Sequence, residues 1–241
     1  VWVLLVGLFA LAAAGALGAF GGKGQVATGT TTTTTAPTTT LPPISNLGAV
    51  GARIQALVDA GRMVDYSAVY HVTDPELPAG LSQTVEMWRK GEEFRQDIVE
   101  RTGSSTTRHT WISGSKPRTC DTQNGTQTCQ LVQAADLPSD LPGAFVRRVV
   151  LAAHPPKLTM KEQVVADYKA TCFEAVGDNM GKPTDKGKQT KGTGELCLNG
   201  DGTLLRLTLQ GATIELTSIT SEVPVSAFET TEAVTTTTKA P

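Results

Sequence analysis

The run Cys120-Asp121-Thr122-Gln123-Asn124-Gly125-Thr126-Gln127-Thr128-Cys129 is symmetric about an Asn-Gly pair. Asn-Gly is the strongest two-residue hairpin signal, because both central residues of a type I′ turn take positive φ. With Asn124 and Gly125 at the turn, Gln123 faces Thr126, and counting outward Cys120 faces Cys129. Hydrogen-bonded and non-hydrogen-bonded pairs alternate away from the turn, so the two cysteines fall on a non-hydrogen-bonded pair, the closer kind. That spacing suits a disulfide. Cys172 and Cys197 lie in two other short apolar stretches. Once the hairpin takes one pair, a second bridge, Cys172 to Cys197, is expected across paired strands. Structural disulfides belong to oxidising compartments, which puts the domain outside the cytoplasm. The rival use of four cysteines is a metal site. It lacks any Cys-x-x-Cys spacing and its histidines (His71, His109, His154) are scattered, so no metal and no cofactor is expected.

Outward from the hairpin, period-two patterning dominates. Tyr66, Ala68, Tyr70 and Val72 alternate with Ser67, Val69, His71 and Thr73. Val85 and Met87 follow a Pro/Gly loop, and Lys90-Gly91 turns into Phe94, Gln96 and Ile98, which alternate with Arg95, Asp97 and Val99. Further strands are predicted over 107–113, 164–173, 195–198, 203–209 and 213–220, with Asn199-Gly200-Asp201-Gly202 and Gln210-Gly211 as turns. Two helical zones interrupt them. One runs from Ser45, a plausible N-cap, through Leu47, Val50, Ile54, Leu57 and Val58 to Gly61; the other lies between Ala134 and Ala153, broken by Pro138 and Pro142. This order predicts an α+β domain: a curved antiparallel β-sheet, a half-open barrel, with helices over its concave face.

The domain is expected over 44–228. Residues 1–22 read as a transmembrane anchor, since 1–20 carry no charge and match the length of a spanning helix; a cleaved signal ending near Ala16-Leu17-Gly18 is the alternative. Residues 23–43 form a Thr/Pro-rich disordered stalk and 229–241 a disordered Thr-rich tail, both too poor in apolar surface to fold. The expected location is the cell membrane, single-pass with the domain outside, or secreted if the leading segment is cleaved.

A net charge of −2 and 5% aromatic residues argue against nucleic acid as a partner. No enzyme signature is present. Ser113 and Ser115 sit in no Gly-x-Ser-x-Gly elbow, and the adjacent Glu92 and Glu93 point to opposite faces of a strand. Asn199 to Gly202 resembles the opening of a calcium loop but lacks its distal Glu, and Lys182, Lys186, Lys188 and Lys191 read as a solvated loop. The apolar face is the remaining feature. Tyr66, Ala68, Tyr70, Val85, Met87, Phe94, Ile98, Tyr168, Leu205 and Leu207 are predicted to converge on the concave side with Ile214 and Leu216. The helices either fill that concavity as a packed core or leave an apolar pocket for a ligand.

The segments Val85 to Ile98 and Glu195 to Leu207, with the close at Val223-Pro224-Val225-Ser226-Ala227-Phe228, resemble extracytoplasmic domains of the LolA/LppX-like lipoprotein-carrier superfamily, especially actinobacterial members. The resemblance spans Leu47 to Phe228 and rests on the order of elements and turns. It implies a half-open barrel lidded by helices around a cavity for an acyl chain or glycolipid, with no catalysis. The apolar run is not followed by a lipobox cysteine, and the anchor and stalk suggest a tethered protein instead of a shuttle. The resemblance also implies an alternative, an envelope sensor that engages a protein partner through a domain with a closed core.

Overall fold

The computed structural model describes residues 44–133, 137, 139–152, 154–178, 180–181 and 190–229. The expected anchor, the stalk, the lysines at 182, 186 and 188, and all of the tail except Glu229 lie outside them. No helix among the described residues is long and apolar enough to cross a membrane.

Among the described residues eleven antiparallel strands form one sheet. They are β1 (Tyr66–Thr73), β2 (Leu81–Lys90), β3 (Glu93–Thr102), β4 (Ser105–Ser113), β5 (Arg118–Gln123), β6 (Thr126–Leu131), β7 (Lys157–Val165), β8 (Tyr168–Gly177), β9 (Gly192–Leu198), β10 (Leu204–Leu209) and β11 (Ala212–Thr220). The spatial order is β6-β5-β4-β3-β2-β1-β11-β10-β9-β8-β7. Two meanders account for it: β1 to β6 steps outward to one edge, the chain crosses to the opposite edge, and β7 to β11 steps back inward. The ladder between β1 and β11, in which Ala68 pairs with Ile219 and Val72 with Ile214, joins the meanders.

The hairpin at Asn124-Gly125 forms in the expected register, with both residues at positive φ and Cys120 opposite Cys129. Both disulfides match the expected pairing: Cys120–Cys129 with Cα atoms 4.1 Å apart, and Cys172–Cys197 across β8 and β9 at 4.0 Å. The stretch around Tyr168 departs from expectation. A single strand over 164–173 is replaced by a hairpin, because Ala166 and Asp167 take positive φ (48° and 66°) and turn the chain between β7 and β8. The alternation that seemed to continue from Val164 to Cys172 crosses this turn. A glycine-free turn at positive φ leaves little compositional trace.

Helix α1 (Gly48–Gly61) follows a 3₁₀ turn at Ile44–Leu47, so it starts later than Ser45. Its Ile54, Leu57 and Val58 are buried. The end of α1 is pinned by two glycines in van der Waals contact: a Cβ on Gly61 would lie 2.2 Å from the Gly202 carbonyl oxygen. Helix α2 (Leu141–Val150) is shorter than the zone 134–153. Pro142 falls in its first turn, where a missing N–H costs nothing, and Asp140 caps it by accepting from Gly143 N at 2.8 Å. Its Phe145 lies against Gly194 of β9, where an added Cβ would be 3.4 Å from the ring.

The helices and one face of the sheet share a continuous core that includes Ile54, Leu57, Phe145 and Val149 with Tyr70, Met87, Phe173 and Leu196. We call this the inner face. The Tyr70 hydroxyl donates to the Leu204 carbonyl within it. On the outer face the buried Asp97 accepts from Arg95 at 2.7 Å and also pairs with Arg108, which reaches Glu86. There a 3₁₀ turn at Val225–Phe228 lays Ala227 and Phe228 on Ile112 and Trp88, and Arg95 donates to the Ala227 carbonyl at 2.7 Å.

The Cys172–Cys197 bridge closes a separation of 25 residues against 9 for Cys120–Cys129. Loop-closure entropy then gives about 3.5 against about 2.6 kcal/mol. The Cys172→Ala/Cys197→Ala pair should lower the denaturation midpoint more than Cys120→Ala/Cys129→Ala; equal midpoints and slopes would contradict the ranking. Ala68→Trp should cost about 1–3 kcal/mol or more, since Ala68 packs against Met87 in a filled core. Unchanged thermal stability of that variant would mean that the core has spare volume.

Candidate functional site

The ten apolar residues singled out by periodicity separate into three groups. Tyr66, Ala68, Tyr70, Val85, Met87, Ile98, Leu205 and Leu207 are all buried and belong to the continuous core. Tyr168 is not among them. It is 43% exposed at the start of β8, in register with Ala170 and Cys172, whereas Phe173 and Ala175 supply that strand's other parity. Phe94 is half-buried and lines a cleft.

That cleft, of about 320 Å³, opens where the helices stop covering the inner face of β2 to β4. Its floor comes from three neighbouring strands: Arg89 from β2, Phe94 and Gln96 from β3, and Trp111 and Ser113 from β4. The register pairs Arg89 with Phe94, Gln96 with Trp111 and Phe94 with Ser113, so strand geometry fixes all five on one face. Its rim comes from Arg62 just after α1 and from Leu137, Ser139 and Asp140 before α2.

Asp140 organises the charges. One carboxylate oxygen caps α2, while the other takes Arg89 at 3.2 Å and Arg62 at 3.7 Å. The Arg89 guanidinium also stacks over Phe94, 4.7 Å from the ring centroid. Beside this pair, burial pushes the Tyr66 hydroxyl up to about pKa 12, with Arg89 opposing and Asp140 adding to the shift. Burial raises Tyr70 well above its ordinary value too.

Two of the side chains that line the cleft carry a buried polar atom without a hydrogen-bond partner. Among the described residues, five buried side-chain polar atoms make no hydrogen bond, and Arg89 Nε and Gln96 Oε1 are two of them. Gln96 is only 1% exposed. The strand pattern around Phe94, Gln96 and Ile98 already carried this signal, a polar residue in an apolar parity. The roles of Asp140 and Arg89 depend on α2 being placed against β2, which local pattern does not specify.

Elsewhere the chemistry is consumed locally. The Cys172 and Cys197 sulfurs and the Glu195 carboxylate lie within 4.8 Å of one another, but the sulfurs are joined in a disulfide. Asn199 and Asp201 turn their side-chain oxygens onto Thr203 N at 2.7 and 2.9 Å, the work of a turn.

No family model and no characterised protein sequence matches the chain. Among solved structures it is similar to MucB, with 12% identity over 75% of this chain and 62% of MucB and a TM-score of 0.31. It is also similar to MucB in complex with MucA(peri), with 15% identity over 71% of this chain and 55% of that one and a TM-score of 0.29. A third is a DUF1329 family protein from Desulfovibrio piger ATCC 29098, with 12% identity over 78% of this chain and 97% of that one and a TM-score of 0.32. The chain thus spans less than two thirds of MucB.

A raised tyrosine pKa has a defined pH signature. The folded state holds the Tyr66 proton more tightly than the unfolded chain does, so this contribution is full below about pH 10 and is lost as pH climbs through 12. Between about pH 9 and pH 11.5 the loss amounts to about 2 kcal/mol. Tyr66→Phe should flatten the alkaline fall of stability by about that amount in denaturant titrations. An unchanged slope would mean that the Tyr66 hydroxyl has the same pKa in the folded protein as in the unfolded chain.

Proposed function

We propose that this chain is a non-catalytic extracytoplasmic binding domain, tethered to the membrane through its leading segment, which holds an amphiphile with an acyl chain or glycolipid character. The observation that carries this reading is the uncovered cleft, in which Phe94 and Trp111 offer aromatic surface beside a charged rim. The two disulfides support the compartment. The half-open barrel is part of the same proposal.

The site proposed differs in place from the original expectation. Eight of the ten apolar candidates serve the packed core, and Phe94 alone of the ten lines the cleft. The lining also bears on the absence of catalysis. Its carboxylate, Asp140, is already divided between a helix cap and two guanidinium groups, which leaves it poorly placed to act as a general base.

A second reading, docking of an envelope protein partner, has one observation in its favour. Strand β7 is an edge of the sheet, and its Met160 and Val164 are 50% and 69% exposed.

Protein purified from its native envelope should carry a stoichiometric amphiphile in solvent extracts analysed by mass spectrometry. Trp111→Ala and Phe94→Ala should each lower occupancy, with affinity falling about tenfold or more. An empty protein that also binds no amphiphile added in vitro would overturn the reading and favour the second.

A further inference from the structure

We infer that the outer face carries a docking seat for the end of another protein chain, an apolar C-terminal segment with a free carboxylate, and that this chain's own residues 223–228 occupy the seat in cis. The seat lies behind the cleft and does not depend on what the cleft binds.

Strand alternation builds the seat. Trp88, Arg95 and Ile112 adjoin the cleft residues Arg89, Phe94 and Trp111 in sequence and so belong to the opposite face. Beyond β11 the chain crosses this face. Ala227 and Phe228 pack on Ile112, with Trp88 and Val223 around them, in a cluster separate from the main core. Two guanidinium groups hold the main chain in place: Arg95 donates to the Ala227 carbonyl at 2.7 Å, and Arg118 of β5 donates to the Phe228 carbonyl. The hold is narrow. Of residues 221–229 only Ala227 and Phe228 are buried, and Val225 is 68% exposed. Segments with few buried apolar contacts open at the low end of a protein's free-energy range, well short of global unfolding.

The charges identify what the seat takes. Arg95 is matched by the buried Asp97, whereas among the described residues no carboxylate lies within ion-pair distance of Arg118. The Arg118 guanidinium meets main-chain carbonyls alone, those of Lys116 and Phe228. Burial, and then the neighbouring Arg95 charge, lower its pKa from the ordinary value, with Glu93 opposing. A carbonyl offers this cation a dipole; a carboxylate offers a full opposite charge as well, in the planar geometry that a guanidinium matches. A chain that ended at the place of Phe228 would put its terminal carboxylate where that carbonyl oxygen now sits. Such an end, a small residue followed by an aromatic one, reproduces the contacts of Ala227 and Phe228 and adds the missing ion pair.

The probe is a fluorescently labelled peptide of the 223–228 sequence, as its free acid and as its C-terminal amide, titrated by anisotropy against the intact chain. Phe228→Ala and Phe228→Asp empty the seat and should bind the free acid at least about tenfold more tightly than wild type does, because the wild-type segment competes at high effective concentration. The amide should bind at least about fivefold more weakly than the acid, and Arg118→Gln in the Phe228→Ala background should erase that difference. Absence of binding by variants that still unfold cooperatively overturns the inference. Equal affinities of acid and amide, or of variant and wild type, overturn it as well. If neither variant folds, hydrogen exchange of the wild-type chain decides. The Ala227 amide, bonded to the Pro224 carbonyl, should then exchange faster with the free acid in excess, and an unchanged rate means that nothing displaces the segment and sinks the proposal.

Discussion

The ladder between β1 and β11 is the contact on which the rest of the domain depends. It pairs the first strand with the last, so the chain must close nearly its whole length before the ladder forms, at an entropic cost that rises with loop length. Its return is the alignment of Tyr70 with Leu216 and Val72 with Ile214 on the inner face. Without it, each meander presents half of a hydrophobic surface. With it, the two halves become one floor, and Tyr70 can reach across to the Leu204 carbonyl.

The width of that floor creates the cleft. Strands lie about 4.8 Å apart, so eleven of them span about 48 Å if laid flat, whereas each helix covers a band about 10–12 Å across. The two helices among the described residues therefore fall short of covering the inner face. The chain meets the shortfall differently in two places. In β5 and β6 the inner-face positions are polar (Thr119, Asp121, Thr128 and Gln130), so no cover is needed there, and the Cys120–Cys129 bridge supplies a constraint that burial does not. In β2 to β4 Phe94 and Trp111 place aromatic surface among the polar side chains of Arg89, Gln96 and Ser113, and the surface is left as a cleft.

Much of this was legible in local pattern. The Asn124-Gly125 turn specified both its hairpin and, by elimination, both disulfides, and alternation placed Tyr66, Ala68, Tyr70, Val85, Met87 and Ile98 on one face. What local pattern missed has two physical origins. The turn at Ala166 and Asp167 uses positive φ without glycine, so β7 and β8 read as one strand and Tyr168 was assigned inward. The cleft depends on which strands the helices cover, a matter of long-range packing. Only Phe94 among its lining residues stood in the apolar set, while Gln96 was visible as an anomaly of parity without an assigned use.

Asp140 ties the cleft to the scaffold more closely than a rim residue usually does. Its one carboxylate starts α2 through Gly143 N and holds Arg89 of β2, and Arg62 joins from the end of α1. The start of α2 and the attitude of Arg89 are thus tied to a single group. Displacing Arg89 toward a ligand weakens its pair with Asp140, but it leaves the capping oxygen engaged, so the helix keeps its start. Packing reinforces this, since Phe145 of α2 lies against Gly194 and the core runs unbroken beneath it. The rim of the cleft and the start of α2 therefore share one carboxylate but use different oxygens of it, while the core beneath holds the helix in place.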